Sequence, residues 1–541
     1  MKLSASLLTA LGCWALTVAA DEQVVLQASQ DQTRTKNDRP FNVAIIGENI
    51  RFYFLIKWPI ADACIGAGAA GSSTAYHLSK YASNASLPLN ITLFERNPFI
   101  GGRSTTVSAY NDSALPVELG ASIFVSVNKI LVDAVKEFNL STNAFRASGS
   151  KNDIPGDELA IWNGEEIVLS QNGNWWDYAK LFWRYGTAPL KTQRLMKSTV
   201  NKFLSLYEEP WFPFESLTAA AQGVGLLAVT AATGEQYMRE NGIVGSFGKE
   251  VVQASTRVNY AQNLGFIHGL EAMVCMATDG AMAVEGGNWR IFDSMVKASG
   301  AKVELETVVG GIWPQSTGGY ALNYSHPDGF GSGSGLFDAV VLAAPYQFSE
   351  LKSLGLQPQD HHPDEIPYVE LHVTLFTSPH LLSPAFFNLP SDKPAPRVVL
   401  TTLPDGEPAQ RGPKSAGSPG FFSISLLRPI TNPNTSAQEY LYKIFSPAPP
   451  TPSFLADLLG VAGLPGNDEE GISERDVTWM YRKVWNSYPY EYPRVTFEEV
   501  KLGEGLWYTA GMESFISTME TNALMGKNVA RLVVGELEGR L

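Results

Sequence analysis

A glycine turn that opens a helix constrains this chain more than any other stretch. Phe41–Gly47 (FNVAIIG) has the Val and Ile content of a buried strand, and Gly66–Leu78 (GAGAAGSSTAYHL) reads as a tight turn running into an amphipathic helix. Gly66, Gly68 and Gly71 stand at the spacing G-x-G-x-x-G. Such a turn needs glycine to take backbone angles other residues resist, to let a pyrophosphate approach the backbone, and to pack helix against strand. The spacing alone is a weak signal, and its continuation strengthens it. Within Ile91–Asn97 (ITLFERN), Ile91–Glu95 is a second strand ending in the acid Glu95, where a ribose hydroxyl acceptor belongs, with Arg96 next to it, and Gly101-Gly102-Arg103 follows. Together these pieces open a dinucleotide-binding βαβ unit.

The unit is interrupted. About nineteen residues, Glu48–Gly66, separate the first strand from the turn that should follow it directly. The segment before the turn, KWPIADACI, is a poor central strand because Pro59 and Asp62 break it. Removing Glu48–Gly66, or equally Gly47–Ile65, leaves FNVAIIGAGAAGSSTAYHL, a continuous strand, turn and helix. The codons for Gly47-Glu48 and Ile65-Gly66 can carry GT and AG splice dinucleotides, and Ala61-Asp62 can carry a branch-point-like CTGAC. The segment therefore reads as a retained short intron. The other reading, a surface excursion at the phosphate site, is physically awkward because those amides must sit against a pyrophosphate.

At 541 residues the chain is long enough for two or three lobes with their own cores, and 45% apolar with 17% charged residues describes a globular protein. A net charge of −14 argues against nucleic acid or an anionic membrane surface as a partner. Residues 1–20 read as a signal peptide: Lys2, the apolar run Leu3–Val18, and a small-residue cleavage site at Val18-Ala19-Ala20. The run falls short of the ~20 residues of a spanning helix, and no later segment resembles a membrane span. Six sequons, at Asn84, Asn90, Asn111, Asn139, Asn323 and Asn434, agree with a secretory route. With Cys13 in the signal and Cys64 in the interruption, Cys275 is left alone, which excludes a disulfide framework. Residues 21–39 are a polar leader without periodicity.

Further along, Asn174–Glu209 is aromatic and helical in pattern, with Trp175, Trp176, Tyr178, Leu181, Phe182, Trp183 and Tyr185 laying a broad apolar face. That face suits either core packing or the wall of a long apolar pocket. Leu217–Met238 and Phe247–Tyr260 continue the helices. His268 and Cys275 read as core residues more readily than catalytic ones. Tyr346–Tyr481 is rich in proline and short strands, and its loop Pro404–Pro419 is expected to be mobile.

The order of turn, strand-end acid, GGR and ELGAS (Glu118–Ser122) resembles the FAD-binding lobe of the glutathione-reductase-like flavoprotein oxidases, a group that includes amine oxidases. That resemblance implies that Arg103 and the backbone after it contact the diphosphate and flavin, with Gly120 and Ala121 beside them. Glu285-Gly286-Gly287-Asn288 would start a helix facing this lobe. Val303–Val309 would be a strand whose end, Val309, meets the adenine, and Phe337–Pro345 the next shared strand. Ala510-Gly511 would end the last strand, and the helix N-terminus at Thr518, Met519 and Glu520 would hold the pyrimidine oxygens of the flavin. The fuller set, adding IGGRSTTV, RVNYAQN, MAVEGGN and WYTAGMESFISTMETNALMGKNVA, is similar to the prenylcysteine oxidase (prenylcysteine lyase) family over nearly the whole mature chain.

The fold class expected is therefore α/β. A Rossmann-like FAD lobe is drawn from residues 40–150, 270–345 and 490–541, and an α+β substrate lobe from 151–269 and 346–489. The family resemblance implies noncovalent FAD and cleavage of the thioether of farnesyl- or geranylgeranylcysteine with oxygen and water, giving cysteine, a prenyl aldehyde and peroxide. It also implies a lysosomal, vacuolar or secreted location. No catalytic side chain is assigned, because the flavin carries the hard step and the protein orients substrate. Two alternatives stand beside this reading: another flavin amine or amino-acid oxidase, and a lipid-binding homologue without flavin because its phosphate turn is broken. Removing Glu48–Gly66 is expected to raise the flavin content of the purified protein, read as absorbance at about 450 nm. A transcript reading straight through the segment, from a protein with full flavin, would overturn the intron reading.

Overall fold

The computed structural model describes residues 41–46, 66–120, 122–144, 154–172, 175–326, 332–349, 351, 354–356, 361–462 and 472–539. Gly47, the interrupting residues 48–65 and Ala121 lie outside this set, as do the signal and leader.

A six-stranded sheet organises the nucleotide-binding half. Its strands are β1 (Phe41–Ile46), β2 (Leu89–Phe94), β3 (Lys302–Glu304), β4 (Ala339–Leu342), β5 (Lys501–Gly503) and β6 (Leu506–Tyr508), in the spatial order β5-β6-β4-β1-β2-β3. All neighbours are parallel except β5 with β6. Strand β1 sits at the centre, with Val43 opposite both Ala339 and Ile91. The apolar runs of β4 and β6 are buried throughout, as strands covered on both faces require. Helices α1 (Ala69–Asn84) and α2 (Met519–Glu538) pack on each other, and they meet at a glycine. A Cβ on Gly526 would stand 2.3 Å from the Ala70 carbonyl oxygen, so no other residue lets the two backbones approach so closely.

Two expectations about this half need correction. The strand expected over Val303–Val309 is two strands, β3 and Val308–Pro314, because the chain leaves the sheet at Glu306 with φ of 51°. Val308–Pro314 then joins an antiparallel sheet with Tyr320–Ser325 and Ser332–Phe337. Ala510-Gly511 does not end a strand: β6 stops at Tyr508 and Ala510–Ser514 forms a 3₁₀ turn.

The second sheet has seven strands in the order Trp479–Pro489, Tyr368–Ser378, Gln438–Ser446, Ser423–Thr431, Val398–Thr401, Leu159–Trp162 and Ile167–Gln171. Only the pair Val398–Thr401 with Leu159–Trp162 is parallel. Helices between Trp175 and Val274 flank it. In the first of them, Trp175–Tyr185, Leu181 and Tyr185 point inward, whereas Trp176, Phe182 and Trp183 are 53%, 57% and 79% exposed. The expectation that this aromatic stretch packs in the core or walls a pocket fails for those three, because apolar residues occupy most of the helix circumference and only one side can seat.

The loop Pro404–Pro419 is anchored where mobility was expected. Arg257, fully buried, donates to Thr401 Oγ1 (2.8 Å), Asn263 Oδ1 (2.9 Å) and the carbonyls of Ser415 (3.0 Å) and Ala416 (2.7 Å). Burial pulls its guanidinium down to about 9, yet it stays charged at neutral pH and serves the loop carbonyls. Arg257→Ala strands those carbonyls in the core and is expected to cost about 3 kcal/mol. Urea denaturation measures the loss, and proteolysis is expected to cut within residues 404–419 of the variant.

Candidate functional site

The glycine turn is held in place by its neighbours. Ala67 N–H donates to Glu95 Oε2 (2.7 Å), and the second oxygen of that fully buried carboxylate accepts from Asn97 N–H (2.7 Å). The Ala67 carbonyl in turn accepts from Gly101 N–H (2.7 Å) and from Ser72 Oγ (3.0 Å). Glu95, just past the end of β2, thus joins the turn to the GGR loop. Gly66, Gly68 and Gly71 are buried in the turn and the first turn of α1, with Gly68 capping the helix. Arg96 is half-buried just after β2.

The GGR loop is shaped by steric exclusion. Gly101 has φ of 125°, and a Cβ there would lie 2.3 Å from the Ser104 carbonyl oxygen. Gly102 is also left-handed, at 56°. The Arg103 guanidinium makes a 2.6 Å ion pair with Glu513 and donates to the carbonyls of Ser487 (2.8 Å) and Asn486 (3.3 Å). Both terminal nitrogens therefore have protein partners. The other Glu513 oxygen accepts from Tyr368 OH (3.0 Å), and burial holds its carboxyl above the usual range against the pull of Arg103. Gly120 packs beneath this loop, since a Cβ there would be 2.5 Å from the Arg103 carbonyl oxygen.

Shortly after Glu513 in the chain, Thr518 caps α2 in a reciprocal box with Thr521. Met519 and Glu520 form the first turn, whose amides have no intrahelical acceptor. The Glu520 side chain turns away from that terminus. Its Oε1 accepts from Ile130 N–H (2.8 Å) and Tyr207 OH (2.8 Å), and its Oε2 from Leu131 N–H (3.0 Å), so it caps the neighbouring helix Lys129–Glu137. Gly511 lies against Glu498, and Val309 is buried in its strand. Turn, Glu95, GGR loop and Gly120 come together around Ala67 and Arg103; the Arg103–Glu513 pair links them to the segment before α2.

Three residues of this region, Lys443, Glu271 and Tyr260, escaped the sequence reading. Lys443 is buried in strand Gln438–Ser446 and donates to the Glu118 carbonyl (2.8 Å) and Ser122 Oγ (3.0 Å), beneath the ELGAS loop. Burial pulls its amine down and pushes the Glu118 carboxyl up; Glu118 Oε1 accepts from Asn288 N–H at 2.6 Å. Glu271, also buried, accepts from Ser517 N–H (3.2 Å), while Tyr260 OH donates to the Ser517 carbonyl (3.3 Å), so the two fix the approach to α2. For the two charged residues the available signal was a single charge inside an apolar run, YLYKIFS and GLEAMVC. His268 and Cys275 are core residues as expected: His268 Nδ1 accepts from Glu271 N–H, and burial lowers the imidazole to about 3.

These residues fit a dinucleotide cofactor. Gly101 and Gly120 let the GGR and ELGAS loops pack closely on their neighbours, and the first-turn amides of α1 and α2 have no intrahelical acceptor. Ser104 Oγ, after GGR, and Ser517 Oγ, before α2, are buried without a hydrogen-bond partner among the described residues. Buried hydroxyls of that kind are costly unless something satisfies them. A cleft of about 510 Å³ opens beside Asn97, Gly102, Thr105, Trp289 and Trp485, and a narrow apolar cavity of about 50 Å³, walled by Leu131, Val200, Phe203 and Ile516, abuts the first turn of α2.

Comparison with known proteins places this architecture. A profile of an NAD(P)-binding Rossmann-like domain matches residues 64–138, and that of prenylcysteine lyase matches residues 168–541. The chain belongs to the prenylcysteine lyase family. It is 28% identical to farnesylcysteine lyase of Arabidopsis thaliana over 502 residues, 88% of each chain. Against prenylcysteine oxidase 1 of Homo sapiens the identity is 26% over 499 residues, 89% of this chain and 90% of the other. In fold it is similar to putrescine oxidase solved with putrescine (TM-score 0.53, 14% identity, covering 87% of this chain and 97% of that one). Cyclohexylamine oxidase from Brevibacterium oxydans IH-35A is comparable (TM-score 0.51, 16% identity, 87% and 98%). The Rossmann-like match over residues 64–138 agrees with a dinucleotide-binding lobe.

Burial pushes the Glu520 carboxyl up to about 7, although Ile130, Leu131 and Tyr207 all donate to it. A folded-state value above the unfolded one means that ionisation costs stability: the folded protein binds the extra proton, and stability falls as pH rises from about 4.5 towards 7. Glu520→Gln is expected to remove that slope, worth on the order of 3 kcal/mol. Chemical denaturation of both forms at acidic and mildly alkaline pH measures it; parallel curves would contradict the assignment.

Proposed function

We propose that the protein is an FAD-dependent thioether oxidase that cleaves prenylated cysteine with oxygen and water, releasing cysteine, a prenyl aldehyde and hydrogen peroxide. The observation that carries this reading is the family match across residues 168–541, which takes in the seven-stranded half apart from its earliest strand in the chain, Leu159–Trp162. The fold alone does not discriminate, because amine oxidases share it at 14–16% identity.

When bound, a flavin supplies the two-electron oxidation. The chain's own part is to bind and orient. The backbone around Gly101 and Gly120 and the amides of Met519 and Glu520 suit the cofactor, while Glu271 and Tyr260 hold Ser517 so that α2 starts in a fixed position. The mostly apolar cavity at Leu131, Val200 and Phe203 suits the end of a prenyl chain. Noncovalent attachment is supported by Cys275, which is buried with its thiol pushed well up, unsuited to forming a bond to the cofactor. The leading apolar segment and six sequons support a secretory route ending in a lysosome, a vacuole or outside the cell.

The test is product analysis with the purified protein. Farnesylcysteine is expected to yield peroxide and an equivalent of free thiol, whereas putrescine and cyclohexylamine yield neither. Peroxide from the amines without thiol release would assign the protein to the amine oxidases. Absence of flavin from both the full chain and the form lacking Glu48–Gly66 would favour a lipid-binding role.

A further inference from the structure

Among the described residues, eight large apolar side chains are conspicuously exposed, and four of them share one region: Trp176, Phe182, Trp183 and, at 69%, Val244. At 100° per residue the three aromatic side chains and Ala179 span an arc of about 120° on helix Trp175–Tyr185. Lys180 and Arg184 border this arc, and Leu181 and Tyr185 seat the opposite face. Contacts bring Val244 to the same place: Lys191 Nζ donates to the Gly242 carbonyl (2.9 Å), and Arg184 Nε donates to Glu250 (2.9 Å), so the loop between them lies against the helix pair.

The charge around this patch runs opposite to that of the molecule. Residues 175–204 contain Lys180, Arg184, Lys191, Arg194, Lys197 and Lys202, all exposed, against one acid, the buried Asp177, which pairs with Lys180. The segment carrying Val244 adds Arg239 and Lys249 against Glu235, Glu240 and Glu250, the last paired with Arg184, so the surface stays net positive. The whole chain carries −14. None of the six sequons falls between Asn139 and Asn323, so no glycan attached at one would originate in this stretch. Aromatic side chains bordered by basic ones on a surface helix are the pattern of an interfacial membrane helix. A second copy presenting the same cationic border would be repelled by it. Among the described residues no helix is long and apolar enough to cross a membrane, so attachment would be peripheral.

From these observations we infer that helix Trp175–Tyr185 and the Val244 loop dock the protein on an anionic lipid surface. The aromatic arc enters the interface and the lysines and arginines face the headgroups. This inference departs from the expectation drawn from net charge, which argued against such a surface and averages over the local charge of this stretch. Helix Ala188–Leu204 then runs from the docking face to the apolar cavity, and its last turn supplies Val200, Phe203 and Leu204 to the cavity wall. If the proposed substrate is correct, docking would deliver a lipid-soluble thioether to that cavity; the docking itself does not depend on it.

The full-length protein is mixed with sucrose-loaded vesicles of phosphatidylcholine, alone or with phosphatidylserine, and sedimented. Sedimentation is expected with the phosphatidylserine vesicles, falling as salt is raised. The double variant Phe182→Ser/Trp183→Ser is expected to bind at least roughly tenfold more weakly, because both side chains lose their interfacial burial. Lys191→Glu/Lys197→Glu is expected to weaken binding to the anionic vesicles alone. An unchanged thermal melt shows that the variants fold, and peroxide release from detergent-dispersed farnesylcysteine should be unaffected. Two results would overturn the inference: no sedimentation with either lipid, or self-association that the serine variant abolishes while vesicle binding is absent. The readout is sedimentation, so failure here and failure of the substrate assignment are separate results.

Discussion

The buried pair of Arg103 and Glu513 is the contact on which the two halves of the molecule depend. The arginine comes from the GGR loop, the glutamate from the 3₁₀ turn before α2, the accepting carbonyls from strand Trp479–Pro489 and the hydroxyl on Glu513 from Tyr368. One ion pair therefore joins the GGR loop and the turn before α2 to two adjacent strands of the other sheet. Removing two charges from water is expensive, and the attraction repays it only when the remaining donors and acceptors are satisfied. Ser487, Asn486 and Tyr368 do that here. The pair therefore specifies how the lobes meet more than it strengthens the fold.

Around that junction, burial repeatedly raises the carboxyls of acids that tie distant segments together. Glu118, Glu271, Glu513 and Glu520 all have raised carboxyls, and each grips backbone amides or side-chain donors from a distant segment. A carboxyl group suits this task because it accepts two or more bonds in fixed directions. Glu520 shows the arrangement most clearly: it stands in the first turn of one helix and satisfies the exposed amides of another.

The nucleotide half was largely legible from sequence because its signals are local. Glycines at Gly101 and Gly120 are demanded by backbone contacts, and Glu95 follows a strand with the expected period. Pairings between distant parts of the chain were not legible, since nothing beside Lys443 announces Glu118 or Ser122. The aromatic run misled for a different reason. Periodicity shows that a helix has an apolar arc, yet here Leu181 and Tyr185 form one arc and Trp176, Phe182 and Trp183 another, and only tertiary packing decides which turns inward. The break after β3 was likewise hidden. The run VELETVV (Val303–Val309) alternates as a single strand would, and only the left-handed backbone at Glu306 divides it.

The central strand β1 has consequences for how the molecule is made. It is the first element of the nucleotide sheet, yet its partner β4 is synthesised far later, at Ala339–Leu342, and α2, which packs on α1, ends at Glu538. Domains generally fold as they emerge from the ribosome. This lobe has to wait, because its central strand lacks one neighbour until the chain is past its midpoint and its covering helix until translation is nearly complete. During that interval an apolar strand stands open beside a helix still without the Gly526 face that covers it, which makes the nascent chain a client for chaperones in a way the finished protein is not.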